Sequence, residues 1–133
     1  MLPEAFLPTI ARGFFMVSEN AKRIEINLDR FHFFVVKREK QFFIPTNEGL
    51  RLINVNIDWI SALGNRRKRT LERYGFSFKE QLICYEIEGR SFFGGSYSWS
   101  DWLRLWSYFA LRGNTSAVRL LRVLAELGTR TFN

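Results

Sequence analysis

Arg66, Arg67, Lys68 and Arg69 form an unbroken cationic run, with Asn65 directly before it and Arg73 shortly after. Side chains of this kind, this close together, suit a chain of phosphates. Each neutralised phosphate releases condensed counterions, and each guanidinium offers a planar fork of donors to a phosphate or a base edge. Asn65 can bond adenine in bidentate fashion, which makes it the candidate base reader. A helix over roughly 58–73 would present these groups together. In it Ala62, Arg66, Arg69 and Arg73 share one stripe, and Ser61, Asn65, Lys68 and Glu72 the neighbouring one. Both stripes point away from Ile60, Leu63 and Leu71.

The elements that must position this helix lie between Pro45 and Gly75. Thr46 or Asn47 is suited to cap a short first helix, Glu48 complements its dipole, and Leu50 and Ile53 give it a brief apolar face. Asn54 to Asn56 interrupts the pattern. Asp58 can then cap the second helix, whose inward face is Trp59, Ile60, Leu63 and Leu71, and Gly75 closes it. The whole reads as a helix-turn-helix-like unit. Such motifs read bases with the start of the recognition helix. Here the cations fall in its later turns, so gripping phosphates is expected ahead of reading bases.

Lys37, Arg38 and Lys40 supply a second set of candidate contacts, at the tip of a hairpin made by Phe33–Val36 and Phe42–Ile44, which Pro45 ends. Arg119, Arg122 and Glu126 form a polar stripe that reads as the wet side of the last helix. Of the many aromatics, Trp102, Trp106 and Phe109 have core spacing, while Tyr97 and Trp99, beside glycines, are the expected exposed pair. Catalytic parts are scarce. His32 is the sole histidine, so histidine-based triads and metal sites lack members. Asp58, Glu86, Glu88 and Asp101 could together serve a metal-dependent nuclease, but their spacing is not distinctive. The reading is therefore a non-enzymatic protein without cofactor or metal.

The frame agrees with this. The chain has 133 residues, 47% hydrophobic and 17% aromatic, enough for one packed domain. Twenty Lys and Arg against thirteen Asp and Glu leave a net charge of +7, with a pI of about 10.1, which points to a polyanionic partner. Cys84 is single and lies in an apolar run, so it reads as a small buried hydrophobe in a reducing compartment. No stretch is long enough to span a bilayer, and the N-terminus lacks the basic start of a secretory signal. A soluble cytoplasmic protein with no membrane role is expected. Residues 1–30 read as a lead-in segment, in which Phe14–Val17 could form a strand. Residues 81–93 read as a second hairpin turning at Glu88–Gly89, and Gly94–Ser96 as a flexible connector. Ser98 and Asp101 resemble a capping box opening a helix that ends at Gly113-Asn114, and Thr115 or Ser116 caps the next. The fold class is α+β: small antiparallel β-hairpins, a helix-turn-helix-like unit and a C-terminal antiparallel helical hairpin, in one domain over 1–133.

Two stretches carry a family resemblance. The first is Phe43-Ile44-Pro45, the short helix through Leu50-Arg51-Leu52, and the segment with Trp59 and Arg66–Arg69. The second is Ser98-Trp99-Ser100-Asp101-Trp102-Leu103, leading into Trp106, Ala110, Gly113-Asn114, Ala117 and Leu120-Leu121. Together they resemble the phage and viral antirepressor domains called Bro-N and their KilA-N-like relatives. The second stretch also resembles segments of antirepressor-like proteins from cyanobacteria and their phages. The resemblance implies a DNA-binding or regulator-binding module of phage or mobile-element origin, and with it a bacterial host cell. Family members often carry a further C-terminal domain, so a stand-alone binding module is expected here. The expected partner is double-stranded DNA, held as monomer or homodimer. The alternative is an inhibitor that binds a repressor or a host defence protein through the same basic face.

Overall fold

The computed structural model describes residues 21–132. Five strands, β1 (Ala21–Leu28), β2 (Phe31–Arg38), β3 (Gln41–Pro45), β4 (Gln81–Ile87) and β5 (Arg90–Ser98), form one antiparallel sheet in the order β1-β2-β3-β5-β4. Both expected hairpins are present. Within the segment read as a lead-in, β1 corrects that reading for Ala21–Leu28: Ile24, Ile26 and Leu28 alternate with Arg23, Glu25 and Asn27, the period of a strand. The Phe14–Val17 expectation lies outside the described residues. Gly94–Ser96 is also not a connector. Ser96 is fully buried in the middle of the ladder, opposite both Pro45 of β3 and Gln81 of β4.

The sheet curls until its edge strands, β1 and β4, approach without pairing. Val36, Phe43, Ile83 and Tyr85 fill the inside of the curl, with Phe34 and Tyr85 ring centroids 5.5 Å apart. The guanidinium of Arg23 lies over Phe34 at 4.7 Å and that of Arg38 over Phe43 at 5.1 Å. The opposite face carries Phe31, Phe33, Val35, Ile44 and Tyr97 into the main core.

Four helices cover that face: α1 (Thr46–Arg51), α2 (Asn65–Arg73), α3 (Trp99–Leu111) and α4 (Thr115–Phe132). The α3–α4 pair is the expected C-terminal helical hairpin, and Trp102, Leu105, Trp106, Ala117 and Leu120 supply its fully buried contacts. Its corner is capped by Asn114 rather than by Thr115 or Ser116. The Asn114 Oδ1 accepts from the Ala117 N–H at 2.9 Å, while its Nδ2 donates to the Ile53 carbonyl at 2.9 Å. One amide thus starts α4 and ties it to the chain leaving α1.

β3 leaves the sheet at Pro45, and side chains of α1 satisfy the part of the β2 edge it no longer covers. Glu48 accepts from the Phe34 N–H at 3.3 Å, and Arg51, paired with Glu48 at 3.1 Å, donates to the His32 carbonyl at 2.9 Å. Two indoles then lock α3 to this corner: Trp102 Nε1 donates to the Ile44 carbonyl at 2.9 Å and Trp106 Nε1 to the Gly49 carbonyl at 3.1 Å. Tyr97, expected at the surface, is 4% exposed and packs edge-on against Trp102. Trp99 is half-buried, edge-on to Trp106.

A Cβ at Gly49 would overlap the Trp102 indole. Gly49→Ala is expected to lower stability by about 1–3 kcal/mol, the usual cost of overpacking, measured as a fall in thermal midpoint. Burial, followed by the Glu80 and Asp101 carboxylates, pushes the Tyr97 hydroxyl from 10.0 up to about 12. The folded state therefore holds this proton more tightly than the unfolded chain, and its stabilisation is complete below pH 10 and lost as pH rises toward 12. Denaturant midpoints should fall across that window and fall less steeply in Tyr97→Phe. Tyr85, raised by burial and by Glu48, contributes in the same direction.

Candidate nucleic-acid interface

The helix that carries the cations starts at Asn65, not near Asp58. Residues 52–64 form successive turns instead. Asn56 Oδ1 accepts from the Asp58 N–H at 2.8 Å, and Asp58 in turn accepts a single turn's bond from the Ala62 N–H at 3.0 Å. Gly64 is the N-cap of α2, and it breaks any continuation from the Asp58 turn. The α1 and α2 helices are thus joined by a long series of turns rather than a tight one. The correction also inverts the charge placement, because Asn65, Arg66 and Arg67 now form the first turn of α2.

That first turn contains no acidic residue and no side chain caps its amides. The first backbone bond runs from Lys68 N–H to the Gly64 carbonyl at 3.1 Å, so the end of the helix dipole and three polar or cationic side chains face outward together. The other end is closed by a Schellman motif. The Gly75 N–H donates to Glu72 at 2.9 Å and the Phe76 N–H to Leu71 at 3.1 Å, with Gly75 at φ 94°. Leu71 and Phe76, both buried, are the apolar anchors that the motif brings together. Everything else on α2 faces water except the half-buried Thr70.

Asn65, Arg66, Arg67, Lys68, Arg69 and Arg73 are all exposed. Ion pairs among the described residues are Arg23–Glu25, Arg30–Asp29 and Arg51–Glu48, so no cation of α2 is neutralised by a neighbour. Position is set from below. Asp101, at the start of α3, accepts from the Ser77 N–H at 3.0 Å and from its hydroxyl at 2.6 Å, fixing the chain just after α2. Ser98 caps α3 by accepting from the Asp101 N–H at 3.2 Å, so the expected capping box is half formed, and the Asp101 carboxylate serves the tertiary contact instead.

Arg66 and Arg67 also line a cleft of about 340 Å³ with Trp59, Tyr108, Phe109 and Arg112. The Arg112 guanidinium lies over the buried Tyr108 ring at 3.8 Å, and Trp59 packs on Phe109 at 4.7 Å. A further hollow of about 400 Å³, toward Leu63 and Gly64, shares Trp59, Arg66 and Arg67. Sequence reasoning missed Arg112. Its only signal was a cation at the end of a helix, and nothing in the spacing places the C-cap of α3 beside α2.

The hairpin-tip candidates separate. Lys40 is exposed in the turn and Lys37 lies over Phe42 at 5.8 Å, while Arg38 turns into the curl, over Phe43 and bonded to Gln81. Arg38 is therefore engaged by the protein, and no shared cavity or hydrogen bond brings Lys37 or Lys40 to α2. The carboxylates separate too: Asp58 lies in the turns, Glu86 on the exposed side of β4, Glu88 in the β4–β5 turn and Asp101 under Ser77. Among the described residues no three of the His, Cys, Asp and Glu side chains gather as metal ligands would. His32 is exposed and bonded to Asn27, and Cys84 is buried. No helix among the described residues is long and apolar enough to cross a membrane.

No family model, curated protein or solved structure matches the chain. Asp101→Ala would leave the Ser77 N–H and hydroxyl without their carboxylate acceptor, at about 1.5–3 kcal/mol, the usual worth of hydrogen bonds to a charged group. Hydrogen exchange of the 71–78 amides should rise in that variant more than exchange in β2.

Proposed function

We propose that the protein is a non-enzymatic DNA-binding regulator of the antirepressor type, holding duplex phosphates through α2. The observation that carries this reading is the set of five exposed cations on a nine-residue helix, none with an acidic partner among the described residues. Cations left unpaired at this density repel one another and are stabilised by an anionic chain whose phosphates match their spacing. Lys68, Arg69 and Arg73 grip the backbone. Asn65 and Arg66, in the first turn, occupy the part of a helix that reaches base edges in helix-turn-helix proteins, so α1 and α2 act as a loosely joined version of that unit.

Affinity for mixed-sequence duplex should fall with salt, with a log–log slope near −0.9 per phosphate neutralised. The triple change Lys68→Ala, Arg69→Ala and Arg73→Ala should flatten that slope by about three phosphate contacts. An unchanged slope would move the interface elsewhere. Absence of binding at low salt would favour a protein partner with an acidic or nucleic-acid-mimicking face.

A further inference from the structure

The cleft beside α2 has a composition that a phosphate grip does not require. Three aromatic residues, Trp59, Tyr108 and Phe109, line it together with Thr70 and three arginines, Arg66, Arg67 and Arg112, the last stacked over Tyr108. Arg112, like the other two, has no ion-pair partner among the described residues, and stacking on Tyr108 holds its plane in place. Trp59 is half-buried: Phe109 supports one side, and the indole borders open space toward Arg66 and Arg67 in both hollows. A volume of about 340 Å³ lies at the small end for ligand sites, the scale of a single planar group rather than of a duplex.

We infer that this cleft takes one unpaired nucleobase, stacked against Trp59, with the flanking phosphates held by Arg66, Arg67 and Arg112. The inference rests on the α2 reading and deepens it, because the preferred ligand becomes nucleic acid with an unpaired segment (single-stranded DNA, a gap or an overhang). An aromatic face accepts any base, so recognition here is tolerant of sequence. Arginine is better suited than lysine at all three positions, since its plane can lie along a base and fork a phosphate at once. The two grips adjoin through Arg66 and Arg67: duplex phosphates meet the outer face of α2, and a strand end turns inward past Trp59.

A titration of the full chain with a short oligothymidylate and with a hairpin duplex of equal phosphate count tests this. Fluorescence anisotropy of the labelled DNA and tryptophan emission are read together. The expected result is tighter binding of oligothymidylate, with quenching of tryptophan emission. Trp59→Leu should remove most of the quenching, since Trp102 and Trp106 are fully buried and Trp99, half-buried against Trp106, does not line the cleft. The same variant should weaken oligothymidylate about tenfold, as loss of one stacked base does, and leave duplex affinity unchanged. Arg112→Gln, a surface change that does not depend on refilling the core, should also weaken the single strand selectively. Equal loss for both DNAs, or no loss for either in Arg112→Gln, overturns the cleft assignment while leaving the α2 reading intact. Duplex binding without any oligothymidylate preference does the same. Trp59-dependent oligothymidylate binding in the absence of duplex binding would instead retain the cleft and overturn the duplex reading.

Discussion

Two indole hydrogen bonds hold the architecture at one corner. Where β3 ends at Pro45, the backbone turns from sheet into α1 and leaves carbonyls that a fully apolar helix face could not satisfy. Trp102 and Trp106, one turn apart on α3, put their N–H groups on the Ile44 and Gly49 carbonyls and their rings into the core around them. An indole is the one large apolar side chain that carries a single fixed donor, so it can fill the volume and close the hydrogen-bond account at once. The approach is close enough that a Cβ on residue 49 would force the Trp102 indole to shift. Everything downstream depends on α3 lying there: Asp101 at its start fixes Ser77 beyond α2, and Arg112 at its end stands over Tyr108 beside Trp59.

Much of this was legible in the chain, and the errors have specific causes. The two hairpins and the helical pair announce themselves because short-range periodicity and turn residues decide them: Phe33–Val36, Ile83–Ile87, Glu88-Gly89 and the Trp102–Trp106 spacing are local signals. β1 was equally local, in the alternation of Ile24, Ile26 and Leu28, but the charged Arg23 and Glu25 and the two prolines upstream, Pro3 and Pro8, obscured it. The start of α2 was misjudged because Trp59, Ile60 and Leu63 do pack on the core, as helical spacing suggests, yet reach it from a series of turns. Apolar spacing reports burial. It does not report which backbone conformation delivers it.

Other features depended on distance in space rather than in sequence. Tyr97 sits beside glycines and looks exposed until α3 folds over it. Arg38 looks like a hairpin-tip cation until the curl brings Gln81 and Phe43 beneath it. The cleft joins Trp59, Arg66 and Arg112 from three segments, and only the cationic run that holds Arg66 is distinctive in sequence. A sheet that curls onto itself and a helical pair laid across it create these neighbours, and no window of sequence contains them.

The stability of α2 bears on what it is for. A helix of nine residues is too short to persist by itself, and five like charges on it add repulsion at the neighbouring spacings. Cations in the first turn also oppose the helix dipole, where acidic residues would help. Against these terms the protein sets one buried leucine, a Schellman closure that brings Phe76 under Leu71, and the Asp101 clasp on Ser77. All three restraints act at or just beyond the C-terminal end, while the first turn is held by the Thr70 hydroxyl on the Arg66 carbonyl at 3.2 Å. An anion placed there would relieve the charge repulsion and the unfavourable dipole interaction together.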